Sequence, residues 1–255
     1  MDYRLLMNTA VMAGEIMLKS GAETHRVEDT MYYILRTSKA KMVEANVTMT
    51  GIVATIEDDN SNPVTVIKRV QNRGTNLNRI MEVNNISREY CADKIDLEEA
   101  NRRLKNISGK QYSVCVYNIA TVLIPTGFAL LFGGGLKETA ASALVGFTLA
   151  IIMTIGKKLS MKSFILNMLS SFGIAVTAIV VRLFWPDMNQ NIVIISGIMP
   201  LVPGVAITNA IRDTLEENYI SGAARILEAF VIAAAVALGV GVGMAFMAVF
   251  LTGGV

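Results

Sequence analysis

The stretch of this sequence that is richest in chemistry lies between two long apolar runs, at residues 198–228, and combines prolines, arginines and carboxylates. Pro200 and Pro203 each remove a backbone hydrogen-bond donor and disfavour helix for the residue before them. In a bilayer such breaks are tolerated only where protein or a water-filled cavity satisfies the freed backbone groups. We therefore predict that Pro200, Pro203 and Gly204 interrupt a membrane-embedded helix at a functional site.

Amide and charged side chains follow this break. On a helix that resumes after it, Asn209, Arg212 and Asp213 lie at i, i+3 and i+4 and share one face. An arginine there is suited to hold a substrate carboxylate, and Asp213 to bind an amine or exchange a proton. This pattern favours a polar transport pathway. The alternative is that Arg212 and Asp213 belong to a solvated loop together with Glu216 and Glu217.

Arg225 and Glu228 stand three residues apart where the next apolar run begins. Ionisable residues inside membrane segments are expensive to keep and mark ion or substrate pathways. We predict that both residues line the same polar route, with Glu228 either functional or paired in a buried position. Arg225 as an anchor at the membrane interface is the alternative. The small residues at 221–224 would let two helices approach closely.

A second polar constellation lies near the N-terminus, at residues 20–29, where the sequence is SGAETHRVED. Thr24 is suited to be the N-cap of a helix surrounded by solvated charges. The alternative is that Glu23, Thr24 and Arg26 make a regulatory or gating contact with the membrane part. His25 and Asp29 are one helical turn apart, but we expect no metal site because the chain has a single histidine.

The fingerprints of common enzymes are absent from the sequence, which has no P-loop, GxSxG, HExxH or dinucleotide-binding motif. The charged part offers no nucleophile paired with a base, so we predict neither an enzyme nor a cofactor. Cys91 and Cys115 are isolated, and we expect free thiols in a reducing compartment. Two rival functions stay open: a membrane-anchored regulatory or hydrolase-like domain, and a channel or scaffold subunit.

Composition divides the chain into two parts that must position these residues. Of its 255 residues 53% are hydrophobic and 17% charged, with a mean hydropathy of +0.47, which is too apolar for an ordinary soluble protein. Residues 1–110 hold 16 of the 23 Lys and Arg and 15 of the 21 Asp and Glu. We predict a cytoplasmic α+β domain at residues 1–108 and a transmembrane domain at 109–255. Basic and acidic residues are interleaved, so no nucleic-acid partner is expected.

Periodicity predicts the elements of the first part. Apolar residues at helical spacing indicate a helix before Gly21 and a second one to about residue 38. Runs rich in β-branched residues at 43–50, 52–57 and 64–70 indicate three strands. Helical spacing returns at 77–90 and from Leu97 to Ile107. This order is typical of a small α+β domain.

Five apolar runs in the second part approach the length of about 20 residues that crosses a bilayer. We predict an α-helical polytopic membrane protein with spans at residues 114–132, 139–155, 164–184, 192–210 and 226–251. The fourth contains the two prolines and is alternatively re-entrant. Gly239 and Gly243 offer a small-residue face for helix packing.

The distribution of basic residues predicts the orientation. Basic residues at 102–110, at 157–162 and at Arg212 and Arg225 flank one side of the predicted spans. The positive-inside rule then places the N-terminal domain in the cytoplasm and Trp185 at the outer interface. The first 20 residues lack the continuous apolar core of a signal peptide. We therefore expect a multi-pass protein of the cytoplasmic (inner) membrane.

Two segments of the sequence together resemble the threonine/serine exporter family. One is SGAETHRVEDT at residues 20–30; the other combines PLVPG at 200–204, NAIRD at 209–213 and SGAARILEA at 221–229. The resemblance covers nearly the whole chain. It implies a secondary exporter of small hydrophilic metabolites, such as threonine, serine or a dicarboxylate like succinate, driven by the proton-motive force.

The resemblance also bears on partners. Fused members of the family continue into a second membrane half, whereas a split bacterial form pairs with a smaller membrane subunit and is associated with succinate export. An odd number of spans reverses the topology of a second half, as in inverted-repeat transporters. We therefore expect a second membrane subunit, or another copy of this chain, beside the lipid and a carboxylate or amino-acid substrate.

Overall fold

The computed structural model describes residues 2–58, 61–71, 73–108 and 112–252 of the chain. Within these residues the elements are, in order, α1 (Tyr3–Lys19), α2 (Thr24–Arg36), β1 (Met42–Thr48), β2 (Gly51–Asp58), β3 (Ser61–Arg69), α3 (Leu77–Cys91), α4 (Leu97–Lys105), α5 (Val114–Leu131), α6 (Leu136–Lys158), α7 (Ser163–Phe184), α8 (Gln190–Ile198), a 3-10 turn (Met199–Leu201), α9 (Gly204–Leu215) and α10 (Tyr219–Thr252).

The chain divides into two compact units. The first unit comprises Met1–Gly109 and Gly204–Leu227, and the second comprises Lys110–Pro203 and Glu228–Val255. The first unit therefore contains, besides the domain predicted at residues 1–108, helix α9 and the opening turns of α10.

The sheet of the first unit is antiparallel, with strand order β1-β2-β3. Strand residues alternate between its faces, and Val47, Ile52 and Ile56 are buried on one of them. Val53 and Ile67 are exposed on the other. The three predicted strands are confirmed, with ends that differ by a few residues.

Helices α1 and α2 lie against the buried face of this sheet, and α3 and α4 pack against these helices. Their apolar stripes share one core with it, which contains among others Leu6, Met17, Met31 and Leu104. Helix α1 packs closely against α2, because a Cβ on Gly14 would meet the Met31 side chain. The periodicity of the sequence predicted these helices because each buries a single stripe.

The second unit is a helical bundle built around α6. Helices α6, α7 and α8 share a buried cluster that includes Val145, Leu149, Ile174 and Val193. Helices α5 and α6 lie close together, since a Cβ on Gly146 would come within 2.9 Å of the Val122 Cα. Large apolar side chains point outward from α5 to α7, as expected where lipid replaces water.

The small-residue face of α10 packs as the sequence predicts. A Cβ on Gly243 would lie 3.0 Å from the Phe172 carbonyl oxygen of α7, and one on Gly239 would overlap the Met168 carbonyl. Both glycines are therefore points of close helix approach.

Among the residues that the structure describes, four helices are long and apolar enough to cross a membrane: α5, α6, α7 and α10. The segment from Gln190 to Leu215 is a fifth candidate only if its two halves count as one broken span. The break is where the sequence places it, with Pro200 inside the 3-10 turn and Pro203 before α9. The prediction of a mainly helical protein with about five spans and a small α+β part agrees with this architecture.

Candidate functional site

Asp213 lies on α9 and is 1% exposed, so its carboxylate needs partners within the first unit. Its Oδ1 accepts hydrogen bonds from the backbone N–H of Thr24 at 3.0 Å and from the Thr24 hydroxyl at 2.9 Å. Thr24 is the first residue of α2, and a carboxylate there satisfies a free N–H and complements the helix dipole. Asp213 thus caps a helix that lies 189 residues earlier in the chain.

The sequence-based assignment of Thr24 as N-cap is wrong by one residue. Glu23 occupies the N-cap position, and its side chain makes no capping hydrogen bond. The local sequence pattern suggested that Thr24 caps its own helix. The hydrogen-bond acceptor at the start of α2 is instead the Asp213 carboxylate of α9. Only tertiary structure supplies such an acceptor.

Arg225 completes the pairing of Asp213. Its Nε donates to Asp213 Oδ2 at 2.7 Å, and its Nη2 donates to the Ala22 carbonyl at 2.7 Å. Arg225 is 7% exposed, so the two opposite charges are buried together. Such a pair persists only when hydrogen bonds satisfy its remaining polar atoms. The arginine and the aspartate therefore hold each other and the turn between α1 and α2.

Asn209 and Arg212 extend the contact along the same turn. Asn209 Nδ2 donates to the Gly21 carbonyl at 2.7 Å, and Arg212 forms an ion pair with Glu23. Residues 21–24 are therefore each held by one side chain of α9 or α10. We call these eight residues the turn network: Gly21, Ala22, Glu23, Thr24, Asn209, Arg212, Asp213 and Arg225.

Not all contacts of the turn network carry the same weight. The Arg212 side chain is 64% exposed, and an exposed ion pair stabilises a fold by about 1 kcal/mol or less. The Asp213–Arg225 pair is buried, so loss of one partner would leave an unpaired charge away from water. We therefore expect the buried pair to contribute more to the free energy of unfolding than any other contact of the turn network.

The conformation of the α1–α2 turn requires glycine at position 21. Gly21 has φ +84°, and a Cβ there would lie 2.9 Å from the Gly74 carbonyl oxygen. The backbone N–H of Gly74 in turn donates to the Lys19 carbonyl. The turn is therefore held in place by the segment before α3 as well as by α9.

A tight turn between α9 and α10 brings Asp213 and Arg225 together. The Asn218 N–H donates to the Asp213 carbonyl at 2.8 Å, and Glu217 adopts φ +62°. A Cβ on Gly222 would lie 3.1 Å from the Ala210 carbonyl oxygen and would meet the Thr214 hydroxyl. The close helix approach predicted for the small residues at 221–224 is confirmed at Gly222.

Several predicted site residues lie outside the turn network. Arg26 is exposed on α2, two residues after Thr24. Pro200 and Pro203 belong to the second unit, and Gly204 is the first residue of α9. Glu228 is exposed on α10, in the second unit, and it interacts with another group. The structure thus brings four of the eight predicted pathway residues together with two of the three predicted regulatory ones.

Glu28 makes a polar contact that the sequence did not predict. Its Oε1 accepts the Val47 N–H at 2.7 Å, which ties α2 to β1. Burial raises the pKa of the Glu28 carboxyl above its usual value, and the charges of Asp29 and Asp213 act in the same direction. The Val47 hydrogen bond and His25 oppose this shift. No sequence signal identifies Glu28, since its partner lies on a different element.

The described residues contain no group of three or more His, Cys, Asp and Glu side chains placed to hold a metal ion. His25 and Asp29 form an exposed pair, with His25 Nε2 3.4 Å from Asp29 Oδ2.

A family model for threonine/serine exporters matches residues 8–247. The chain is 24% identical over 251 residues to a threonine/serine exporter of Corynebacterium glutamicum, an alignment that covers 94% of this chain and 50% of that protein. It is 20% identical over 242 residues to a probable threonine/serine exporter of Mycobacterium tuberculosis, which covers 93% and 45%. The chain spans about half the length of these curated relatives. No solved structure matches it.

Proposed function

Since the chain belongs to the threonine/serine exporter family, we propose that it is a component of a secondary exporter driven by the proton-motive force. Its substrate is a small hydrophilic molecule that carries a carboxylate: threonine, serine or a dicarboxylate such as succinate. The family match over residues 8–247 carries this proposal. Four apolar helices of spanning length support it.

The proposed location is the cytoplasmic membrane, with the first unit in the cytoplasm. Lys157 and Lys158 end α6, and Lys162 precedes α7, so positive charge gathers at one set of helix ends. The other ends carry fewer basic residues: Lys137, which is paired with Asp187, and Arg182 in the last turn of α7. By the positive-inside rule the lysine-rich ends face the cytoplasm.

We assign different roles to the two groups of predicted pathway residues. The break at Pro200, Pro203 and Gly204 frees backbone groups, and Glu228 is an ionisable group on a span, so these residues are the proposed substrate and proton route. Asp213 and Arg225 satisfy one another and are buried in the first unit. Their proposed role is to hold α9 against the α1–α2 turn. The proposed role of the turn network as a whole is regulation of export.

Efflux from vesicles tests the function. The chain is reconstituted together with its candidate membrane partner, and labelled serine, threonine and succinate are followed under a proton gradient. Transport against a substrate gradient that collapses on addition of an uncoupler is the expected result. Equilibration without accumulation would instead indicate a channel.

Glu228→Gln tests the proposed route. It removes the ionisable group and preserves the shape of the side chain, so efflux should be lost while membrane insertion persists. Glu216→Gln, the same change on an exposed residue after α9, is the matched control. Normal efflux by the Glu228→Gln protein would remove this residue from the mechanism.

A further inference from the structure

The first unit contains a cavity of about 300 Å³ between the α1–α2 turn, α3 and α9. This volume is at the small end of the range for ligand pockets, and suits a molecule of amino-acid size. The polar residues that line it are Glu23, Arg26, Asn84, Asn85, Arg88 and Asn209.

The charges around this cavity are unbalanced. Within the described part of the chain, Arg26 and Arg88 form no ion pair with a carboxylate, and both are exposed. Glu23 is the one acidic residue of the lining, and Arg212 already pairs with it. Two guanidinium groups therefore remain for an anion. Each offers a planar fork of donors that matches a carboxylate.

The remaining lining is apolar. Ile80 and Met81 of α3 and Val205 of α9 contribute side chains beside the polar groups. Such a surface receives a short aliphatic body while arginines hold its charged end. The cavity therefore combines recognition of an anion with recognition of a few methylene or methyl groups.

We propose that this cavity binds a small carboxylate metabolite with a short aliphatic body, held by Arg26 and Arg88. Glu23 and Asn209 line the cavity and also belong to the turn network, so a bound carboxylate acts on the contact between the α1–α2 turn and α9. The bound metabolite is then an effector of export. This regulatory step rests on the proposed function, whereas the binding site does not.

Calorimetric titration of the full chain in lipid nanodiscs tests the site. The probes are L-threonine, L-serine, succinate, L-threonine amide, which lacks the carboxylate, and inorganic phosphate. At least one carboxylate should bind saturably, and L-threonine amide should not. Arg26→Gln and Arg88→Gln should each weaken that binding by about tenfold or more, since each removes a charge-assisted contact.

Arg4→Gln is the matched control, because Arg4 is exposed on α1 and outside the cavity lining. It should leave binding unchanged. Equal affinity in the wild type and in Arg26→Gln/Arg88→Gln would place the ligand elsewhere and overturn the proposal. So would phosphate binding as tight as that of every carboxylate, or no saturable binding of any probe.

A second measurement does not depend on the arginine variants. Asn85→Cys, in a chain with Cys91→Ser and Cys115→Ser, places a single thiol on the cavity lining. The bound carboxylate should slow maleimide modification of this thiol, and an unchanged rate at saturating probe would contradict the site. Binding of a carboxylate without export would contradict the proposed function but not the binding site. Export without such binding would contradict the binding site but not the proposed function.

Discussion

Asp213 shows how much one buried carboxylate decides in this chain. It accepts two hydrogen bonds from Thr24 and one from Arg225, so both of its oxygens are used. The i, i+3, i+4 spacing predicted that Asn209, Arg212 and Asp213 share a face. It did not predict what that face would meet, because its partners lie almost 190 residues away: the Gly21 carbonyl, the Glu23 carboxylate and the first residue of α2.

Loss of one member of the buried pair should cost far more than loss of the exposed pair. Asp213→Ala leaves the Arg225 guanidinium buried without a counterion, and we expect a loss of about 3 to 5 kcal/mol in the free energy of unfolding. Arg212→Ala breaks the exposed pair with Glu23 and should cost about 1 kcal/mol or less. Thermal unfolding of the purified proteins in detergent measures both. Similar losses of stability in the two variants would contradict the larger contribution that we assign to the buried Asp213–Arg225 pair.

Glu28 should make stability depend on pH in a defined direction. Burial raises the native pKa of this carboxyl above 4.5, so ionised Glu28 costs stability above the native pKa, and the cost disappears as pH falls towards 4.5. Glu28→Gln keeps an oxygen for the Val47 N–H and removes the charge. Its melting temperature should exceed that of the wild type at about pH 7, and the gain should shrink towards about pH 5.

The exposed Glu82→Gln on α3 is the control for this prediction. This change removes a negative charge on α3 and leaves the Glu28–Val47 contact intact. Glu15, whose pKa is lowered by its contacts with Lys19 and Lys68 against the opposing effect of burial, contributes stability that acid removes. The wild type and both variants contain Glu15, so its effect cancels when their melting temperatures are compared at the same pH. The remaining difference is due to Glu28. A gain for Glu28→Gln that grows on acidification would show that the assigned direction is wrong.

At the scale of elements, the turn between α9 and α10 sets the geometry of the turn network. It requires Gly222, where the two helices approach so closely that a Cβ would displace the Thr214 hydroxyl from its hydrogen bond to the Ala210 carbonyl. The small residues of this segment predicted close packing. The sequence did not predict which helix these small residues would pack against. A pattern such as Ser-Gly-Ala-Ala marks the packing face of its own helix but not the partner helix.

Gly222→Ala should destabilise the first unit by about 1 to 3 kcal/mol, the usual cost of overpacking a close contact. Gly241→Ala on the same helix is the matched control, because a Cβ there meets nothing within 4 Å. It should be neutral or slightly stabilising, as alanine is the better helix former. Equal melting temperatures for the two variants would contradict the close approach of α9 and α10.

At the scale of the whole molecule, the chain covers about half the length of its curated relatives. Four apolar helices, or five with the broken segment, present large apolar side chains outward. The second membrane subunit, or second copy of this chain, that the family resemblance implies stays a prediction.

Vesicles that contain only this chain as a monomer should therefore show no concentrative efflux of serine, threonine or succinate. Addition of a candidate smaller membrane subunit should restore it. The Glu228→Gln chain with that subunit is the control and should stay inactive. Concentrative efflux by the isolated monomer would show that the chain needs no partner.

Local sequence patterns were enough to predict the membrane character, the three strands, most helix positions, the proline break and the family. These features depend on local composition and period, which neighbouring residues carry together. The family resemblance of residues 20–30 and 200–229 is confirmed. The tertiary structure shows that residues 20–30 and 204–227 meet in one unit, with Asp213 at the start of α2 and Arg225 on the Ala22 carbonyl. Hydrogen bonds between distant segments leave no periodic pattern in a sequence, so the contacts of the turn network could not be predicted from it.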